Sequence, residues 1–257
     1  MKLLLPPSWI ERWKTPAVFD YALSLQGEIF REQPGRKTLK FHEFGRNYFI
    51  KMHFGVGWKE IFKNLIQFKF PILGAQNEVY AIERLQHFNF TPKLMGYGWR
   101  GNNPATQQSF VITEALENTI SLEDYCRDWK THPPTLKEKW HLIKQAAHIA
   151  KTMHEKGVNH RDFYICHFLL HKNTNHLTVI DWHRAQLRSK VPFRWKVKDI
   201  AGLLFSSMDL GLTQRDLWRF MRVYNKAYEP LFWRCVIKRA VKLYRKTFKR
   251  EPNYVQR

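Results

Sequence analysis

A carboxylate at the end of a tight polar turn, followed at a set distance by a second carboxylate closing a short apolar strand, constrains this chain more than any other feature. The turn is His160-Arg161-Asp162, and nineteen residues later the run Val179-Ile180-Asp181-Trp182-His183 carries the second acid. A long amphipathic stretch ends at Gly157, just ahead of the turn. Moving a phosphoryl group onto a hydroxyl needs both acids. One must sit beside the acceptor hydroxyl and take its proton, and the other must be a hard oxygen ligand holding Mg²⁺ against nucleotide phosphates. Asp162 is assigned the first task and Asp181 the second, while His160 packs and Arg161 braces the fold or pairs with an acid.

Composition sets the frame around that pair. At 257 residues the chain is long enough for two lobes and a sizeable core, and 44% apolar and 15% aromatic residues exclude disorder. The net charge of +21 implies a polyanionic partner, with nucleic acid, an anionic membrane and an acidic protein all open on charge alone. Cys126, Cys166 and Cys235 are odd in number and form no CxxC pair, which argues for a reducing compartment and against disulfides and zinc. The N-terminal Leu3-Leu4-Leu5 ends at Pro6, too short for a secretory apolar core, and no apolar run reaches membrane-spanning length. The expectation is a cytoplasmic protein, or one bound to a membrane surface from that side.

Residues 23–51 read as three short strands. Leu23-Ser24-Leu25 through Phe30 is the first, and Gln33-Pro34-Gly35-Arg36 turns into Thr38-Leu39-Lys40-Phe41. Gly45-Arg46-Asn47 turns again into Tyr48-Phe49-Ile50-Lys51. A helix is predicted from Trp58 to Phe70 and a second from Gln76 to Phe88, then a buried strand Phe110-Val111-Ile112-Thr113 leading to a hinge at Glu114-Ala115-Leu116. Ser121 caps a helix that opens with Glu123 and Asp124. Residues 135–155 form a long helix with Trp140, Ile143, Ala147 and Ala150 at core spacing. Short strands Phe168-Leu169-Leu170 and Thr178-Val179-Ile180 flank Asn173-Thr174-Asn175, and helices follow from Lys198 onward. The expected fold is α+β and bilobal, protein-kinase-like. A β-rich nucleotide-binding N-lobe spans residues 1–114 and a helical catalytic C-lobe residues 115–257.

Within that fold Lys51, facing a cleft, would meet the α- and β-phosphates of ATP, with Glu78 on the following helix as its ion-pair partner and Glu83 as the rival. No GxGxxG exists. Gly27 and Gly35 bracket the stretch where a phosphate loop would lie, and Arg31, Arg36 and Lys37 either contact phosphate as charges or form a surface turn. Glu114, at the hinge, is assigned to the nucleotide.

With those residues placed, the chain resembles the bacterial lipopolysaccharide core heptose(I) kinases, the WaaP/RfaP family of the kinase-like superfamily. The stretches carrying the resemblance are Leu25-Gln26-Gly27-Glu28, Pro71-Ile72-Leu73-Gly74-Ala75, Ile120-Ser121-Leu122-Glu123-Asp124-Tyr125-Cys126 and Gly211-Leu212-Thr213-Gln214-Arg215-Asp216. The most diagnostic run is Asn159-His160-Arg161-Asp162-Phe163-Tyr164-Ile165-Cys166-His167. The resemblance implies ATP- and Mg²⁺-dependent phosphorylation of the first heptose of the inner core, at its 4-hydroxyl, on the cytoplasmic face of the inner membrane. It implies the lipid A–Kdo–heptose inner core as acceptor, whose phosphates and carboxylates suit a basic protein, and an acyl carrier protein as a candidate partner. Arg184 and Arg188, just past Asp181, are assigned to the acceptor. His167 stands where a protein kinase places its second metal-ligating Asn; imidazole is a poor Mg²⁺ ligand, so His167 contacts phosphate or the site uses one metal. Trp182-His183 replaces the Phe-Gly that follows the metal Asp in protein kinases, which removes a flexible glycine.

Two segments give the charge a shape. From Val236 to Phe248 apolar residues recur at helical spacing among eight basic ones, Arg234 to Arg250, with no acid between them. Such a helix either lies on an anionic membrane or packs its stripe on the C-lobe. The Trp58–Phe70 helix, with Lys59, Lys63 and Lys69, is a second lipid candidate or else N-lobe core. The competing functional readings are a sister kinase acting on Kdo, aminoglycoside or protein hydroxyls, and a non-catalytic basic module on membrane or nucleic acid. No nucleic-acid motif accompanies the charge.

Overall fold

Strict alternation in the N-terminal third is what builds the sheet. In the computed structural model, which describes residues 1–66, 71–225 and 227–252, β3 (Arg36–Glu43) and β4 (Arg46–His53) pair antiparallel over their full lengths. Period two buries Tyr48, Ile50 and Met52 on one face of β4 and turns Phe49 and Lys51 to the other. Gly35 closes the preceding hairpin between β2 (Glu28–Gln33) and β3, and its φ of +74° is the conformation that glycine supplies after Pro34. With β1 (Lys2–Leu4), β5 (Leu94–Arg100) and β6 (Gln108–Glu114), the described residues form a six-stranded sheet in the order β1-β5-β6-β4-β3-β2.

This sheet belongs to a first unit made of Met1–His87, Pro92–Leu116 and Trp182–Arg184. One face is covered by α1 (Pro7–Trp13) and α2 (Val18–Ser24), whose Trp9, Trp13, Phe19 and Ala22 join Leu39, Ile50 and Phe110 in one core. The Leu23-Ser24-Leu25 strand expected from the sequence is therefore corrected: Leu23 and Ser24 end a helix. On the other face α4 (Gln76–Leu85) places Val79 against Tyr97 and Val111. The short α3 (Gly57–Ile66) buries Ile61 alone, leaving Trp58, Phe62, Leu65 and Ile66 exposed, which corrects the core reading of that helix. Residues 67–70, expected to complete it, lie outside the described residues.

The second unit comprises Phe88–Thr91, Glu117–Asp181 and Ala185–Arg257. It opens with β7 (Thr119–Ser121) and α5 (Leu122–Tyr125), capped by the Ser121 hydroxyl accepting from the Asp124 N–H at 3.0 Å. The long α6 (Leu136–Glu155) starts at a Thr135 cap and buries Leu142, Ala146, Ala147, Ile149, Ala150 and Met153. Trp140, expected in that core, is exposed, with the Arg219 guanidinium 4.1 Å above its ring. After β8 (Val158–Asn159), β9 (Phe168–His171) and β10 (Leu177–Val179) form a hairpin beside β7, and β11 (Gln186–Leu187) pairs with β8. Three helices close the unit: α7 (Phe193–Ser207), α8 (Gln214–Tyr224) with a Thr213/Asp216 capping box, and α9 (Pro230–Phe248). The stripe of α9 is buried through Phe232, Trp233, Val236, Ala240 and Tyr244, so that helix gives its apolar face to its own unit and its charges to solvent. Among the described residues no helix is long and apolar enough to cross a membrane.

Candidate active site

The register of β4 determines where Lys51 goes. Lys51 lies directly opposite Val111 of β6, on the face where Val111 meets α4. Its ammonium donates to Glu78 Oε1 at 2.7 Å, and the carboxylate it meets is 3% exposed against 27% for the lysine side chain. Glu83 turns instead to the Tyr97 hydroxyl. The outer oxygen Glu78 Oε2 is buried with no hydrogen-bond partner among the described residues, so Lys51 is what makes the buried carboxylate tolerable. The arrangement leaves a cation held at a defined point on the sheet with part of its surface open, which suits phosphate oxygens.

The other first-unit residues differ in what they offer. Arg31 is exposed on β2. Gly27 precedes β2 so closely packed that a Cβ would come within 2.1 Å of the Lys40 carbonyl oxygen, which accounts for the glycine by packing. The Glu114 carboxylate accepts from Arg46 at 2.7 Å and lies 3.8 Å from Lys93 Nζ, and its N–H donates to the Lys93 carbonyl. Arg184 is half-buried in the 3-10 turn Trp182–Arg184, next to a fully buried Trp182. That turn packs on α4, with the Asn77 amide donating to the His183 carbonyl at 3.5 Å.

In the second unit one buried acid organises the loop. Asp199, in the middle of α7 and 1% exposed, accepts the His160 N–H on Oδ2 and the Arg161 N–H on Oδ1, both at 2.8 Å. The His154 imidazole donates to the same carboxylate at 3.3 Å and accepts from the Tyr224 hydroxyl at 2.7 Å. The two donated N–H groups hold Arg161 at φ +74°, a left-handed conformation that a non-glycine residue adopts at a cost. His160 is wholly buried, donates from Nε2 to the Ile180 carbonyl at 3.0 Å, and is held neutral by burial, which takes its pKa down to about 4. The loop is thus pinned at its start, and Asp162 follows, half-buried.

Asp162 and Asp181 are linked through His167. Its Nδ1–H donates to the Asp162 carbonyl at 2.7 Å, and Nε2 lies 3.7 Å from Asp181 Oδ2. Burial opposes its charge, but the Cys166 side chain, the Asp162 carbonyl and the Asp181 carboxylate together push its pKa up to about 9. An imidazole held in its cationic form does not ligate metal and is suited to phosphate. Asp181, about a quarter exposed and at φ +67°, offers a hard carboxylate of the kind Mg²⁺ accepts. Arg188 donates to Asn159 Oδ1 at 2.7 Å and to Gln186 Oε1 at 2.8 Å, neutral acceptors that orient its guanidinium without cancelling its charge.

A cation fixed on a sheet by a helical glutamate, and a pinned loop that ends in a carboxylate with a second acid close by, are the tools of protein-kinase-like phosphotransferases. The chain is an enzyme of that class. The lipopolysaccharide kinase (Kdo/WaaP) family model matches residues 20–224, and the chain belongs to this family. Membership implies a nucleotide, ATP, as phosphoryl donor and a divalent metal. A curated relative from Escherichia coli, named lipopolysaccharide core heptose(I) kinase WaaP, is 51% identical over 222 residues, covering 84% of each chain. The Pseudomonas aeruginosa protein of the same name is 46% identical, covering 87% of this chain and 86% of its own. A solved structure described as WaaP in complex with acyl carrier protein matches with a TM-score of 0.81 at 39% identity, over 95% of this chain and 100% of its own.

Sequence reasoning missed Asp199, for which an acid flanked by the buried Val197, Ile200 and Ala201 was the available signal.

Proposed function

We propose that this chain transfers the γ-phosphoryl group of ATP to the first heptose of the lipopolysaccharide inner core, at its 4-hydroxyl. What supports this reading most is that relatives 46–51% identical along more than four-fifths of the chain carry the heptose(I) kinase name. The site chemistry agrees with it. Lys51, steadied by Glu78, holds α- and β-phosphate oxygens. Asp162 takes the proton of the acceptor hydroxyl as its oxygen bonds to the γ-phosphorus and the bond from that phosphorus to the ADP oxygen breaks. Asp181 would hold Mg²⁺, which would neutralise charge on the phosphates when bound. His167 contacts phosphate as a cation, and Gly27, Arg31 and Glu114 belong to the nucleotide side. Arg184 and Arg188 serve the acceptor.

The setting follows from charge and exposed apolar surface. On α3, Trp58 is 50% and Phe62 55% exposed, with their rings stacked at 5.7 Å and Lys59 and Lys63 beside them. Aromatic and basic residues in that combination suit an anionic lipid surface, which supports attachment at the cytoplasmic face of the inner membrane, where the acceptor is embedded. A net charge of +21 also suits an acidic acyl carrier protein as partner.

The test is label transfer from γ-labelled ATP with Mg²⁺ to purified lipopolysaccharide lacking core phosphate. Label on the first heptose with wild type, absent with Asp162→Ala, is the expected result. Label on another sugar, or full turnover by the variant, would overturn the reading.

A further inference from the structure

The outer face of α9 carries more charge than its own unit answers. From Pro230 to Arg250 there are eight basic residues and no acid. Two of the eight are paired: Arg245 meets Glu251 at 2.7 Å and Arg250 meets Asp209 at 3.0 Å. The other six, Arg234, Lys238, Arg239, Lys242, Lys246 and Lys249, are all exposed and form no ion pair among the described residues. Other helices do answer such charges, with Lys63 beside Glu60 on α3, Lys151 beside Glu155 on α6 and Arg219 beside Asp216 on α8.

The spacing on α9 works against the helix itself. Arg234, Lys238, Lys242 and Lys246 follow one another at four-residue intervals, so each stands a turn above the last and like charges repel along the row. The helix dipole favours cations only in the last turn, and Arg234 lies toward the end where a cation is disfavoured. The opposite side of α9 is locked into the unit by Phe232, Trp233, Val236, Ala240 and Tyr244, so the row cannot turn inward.

The row ends in an apolar tip. Leu231, one turn before Arg234 and on the same side, is 67% exposed. Tyr228, just ahead of the helix, is 55% exposed, with its ring centroid 5.3 Å from that of the exposed Trp218. A nucleic acid or an acidic protein would answer the charges. A lipid bilayer answers both kinds of side chain at once, with anionic headgroups for the cations and an apolar layer beneath for the tip.

We propose that the outer face of α9, with Leu231, Tyr228 and Trp218 at its N-terminal end, is a docking surface for an anionic phospholipid bilayer. The inference rests on the reading of the acceptor as lipid-borne. It adds a contact on the second unit, separate from α3, that concentrates the enzyme where the acceptor lies and takes no part in phosphoryl transfer.

The full-length protein is compared with a ridge variant carrying Lys238→Gln, Arg239→Gln, Lys242→Gln and Lys246→Gln, and with the tip variant Leu231→Ser. A control removes the same charge elsewhere on the second unit, with the exposed Lys137, Lys144, Lys172 and Lys190 each changed to Gln. All these positions are exposed, so circular dichroism and thermal midpoint should match wild type. Binding to phosphatidylglycerol–phosphatidylcholine vesicles should weaken about a hundredfold or more in the ridge variant, since each basic residue near such a surface contributes about fivefold. The tip variant should lose about tenfold, and the control far less than the ridge variant. On acceptor embedded in the same vesicles the ridge variant should lose about tenfold in kcat/KM, while on the delipidated oligosaccharide all four proteins should agree within about twofold. Vesicle binding by the ridge variant equal to wild type, or an equal loss in the control, overturns the docking surface and leaves the kinase reading intact. So does a wild type that ignores vesicles and binds duplex DNA. Failure of wild type on the delipidated and the embedded acceptor alike overturns the kinase reading, while vesicle binding still judges the surface.

Discussion

Lys51 Nζ lies 2.7 Å from a Glu78 carboxylate that is 3% exposed, so the cation assigned to the phosphates is also the counter-charge that lets an acid stay buried. Function and stability are therefore coupled at this pair. Lys51→Met should cost activity about a hundredfold or more and stability about 3 kcal/mol. Adding Glu78→Gln should return much of the stability and none of the activity. Urea midpoints and turnover on the three proteins decide it; a Lys51→Met protein as stable as wild type contradicts the coupling.

Asp199 and Asp162 should separate in the same assays. Asp199→Asn puts an amide donor against one of two buried N–H donors and should cost about 2–3 kcal/mol together with most of the turnover. Asp162→Asn, at a half-buried position and nearly isosteric, should lose turnover while costing clearly less stability than Asp199→Asn, about 1 kcal/mol or less. Equal destabilisation by the two would remove the distinction between anchor and catalyst.

Two buried histidines set an acid limit. Burial lowers His53 to about 3, helped by the Arg36, Lys51 and His183 charges, and burial lowers His160 to about 4. Unfolded, both titrate near 6.5. Above pH 6.5 neither state is protonated and the pair contributes no pH dependence. Below it the unfolded chain binds two protons that the folded one refuses, so stability falls as pH drops toward 4. The slope is up to about 2.7 kcal/mol per pH unit. Chemical denaturation at pH 7 and pH 5.5 measures it, and a flat response over that interval would falsify the assignment.

Gly157 and Gly45 share a positive φ, of +78° and +71°, but not their surroundings. A Cβ on Gly157 would lie 1.9 Å from the Arg188 carbonyl oxygen, whereas one on Gly45 meets nothing within 4 Å. Gly45→Ala should cost about 1 kcal/mol. Gly157→Ala should cost at least about 2–3 kcal/mol and raise the acceptor KM by displacing Arg188. Similar costs at both glycines would show that the Arg188 segment yields freely.

Vesicle co-sedimentation tests α3. Trp58→Ser with Phe62→Ser should weaken binding to anionic vesicles about tenfold or more, given that each large apolar side chain contributes on the order of 1.5–3 kcal/mol when buried. Binding to neutral vesicles should be weak for both proteins. Unchanged binding to anionic vesicles would assign membrane attachment to the basic residues alone.

What the sequence disclosed follows from how locally each feature is encoded. Alternation along Tyr48-Phe49-Ile50-Lys51 places Lys51 on the correct face, and helical spacing from Gln76 brings Glu78 beneath it. The His160-Arg161-Asp162 turn is legible because Gly157 ends α6 just before it. By contrast, β5 was missed because Gly96 and Gly98 interrupt its apolar pattern. Those glycines make room for Leu5 and for Phe110 and Phe19, contacts that are distant in sequence. Leu23-Ser24-Leu25 alternates like a strand, but Val18, Phe19 and Ala22 share one helical face and bury it, and that larger gain decides the segment. Trp140 has core spacing on α6, yet the core stripe runs through Leu142, Ala146 and Ala150, one position round the helix.

Trp182 is fully buried at the place where protein kinases keep a pliant Phe-Gly pair, in a turn tied to α4 through Asn77 and His183. A segment anchored by its largest side chain must expose that indole to move, at a cost on the order of 1.5–3 kcal/mol that a Phe-Gly pair at the surface does not meet. The turn after the metal-binding acid is thereby tied to the same core that holds the sheet and its helix, and stiffness there is built in by packing.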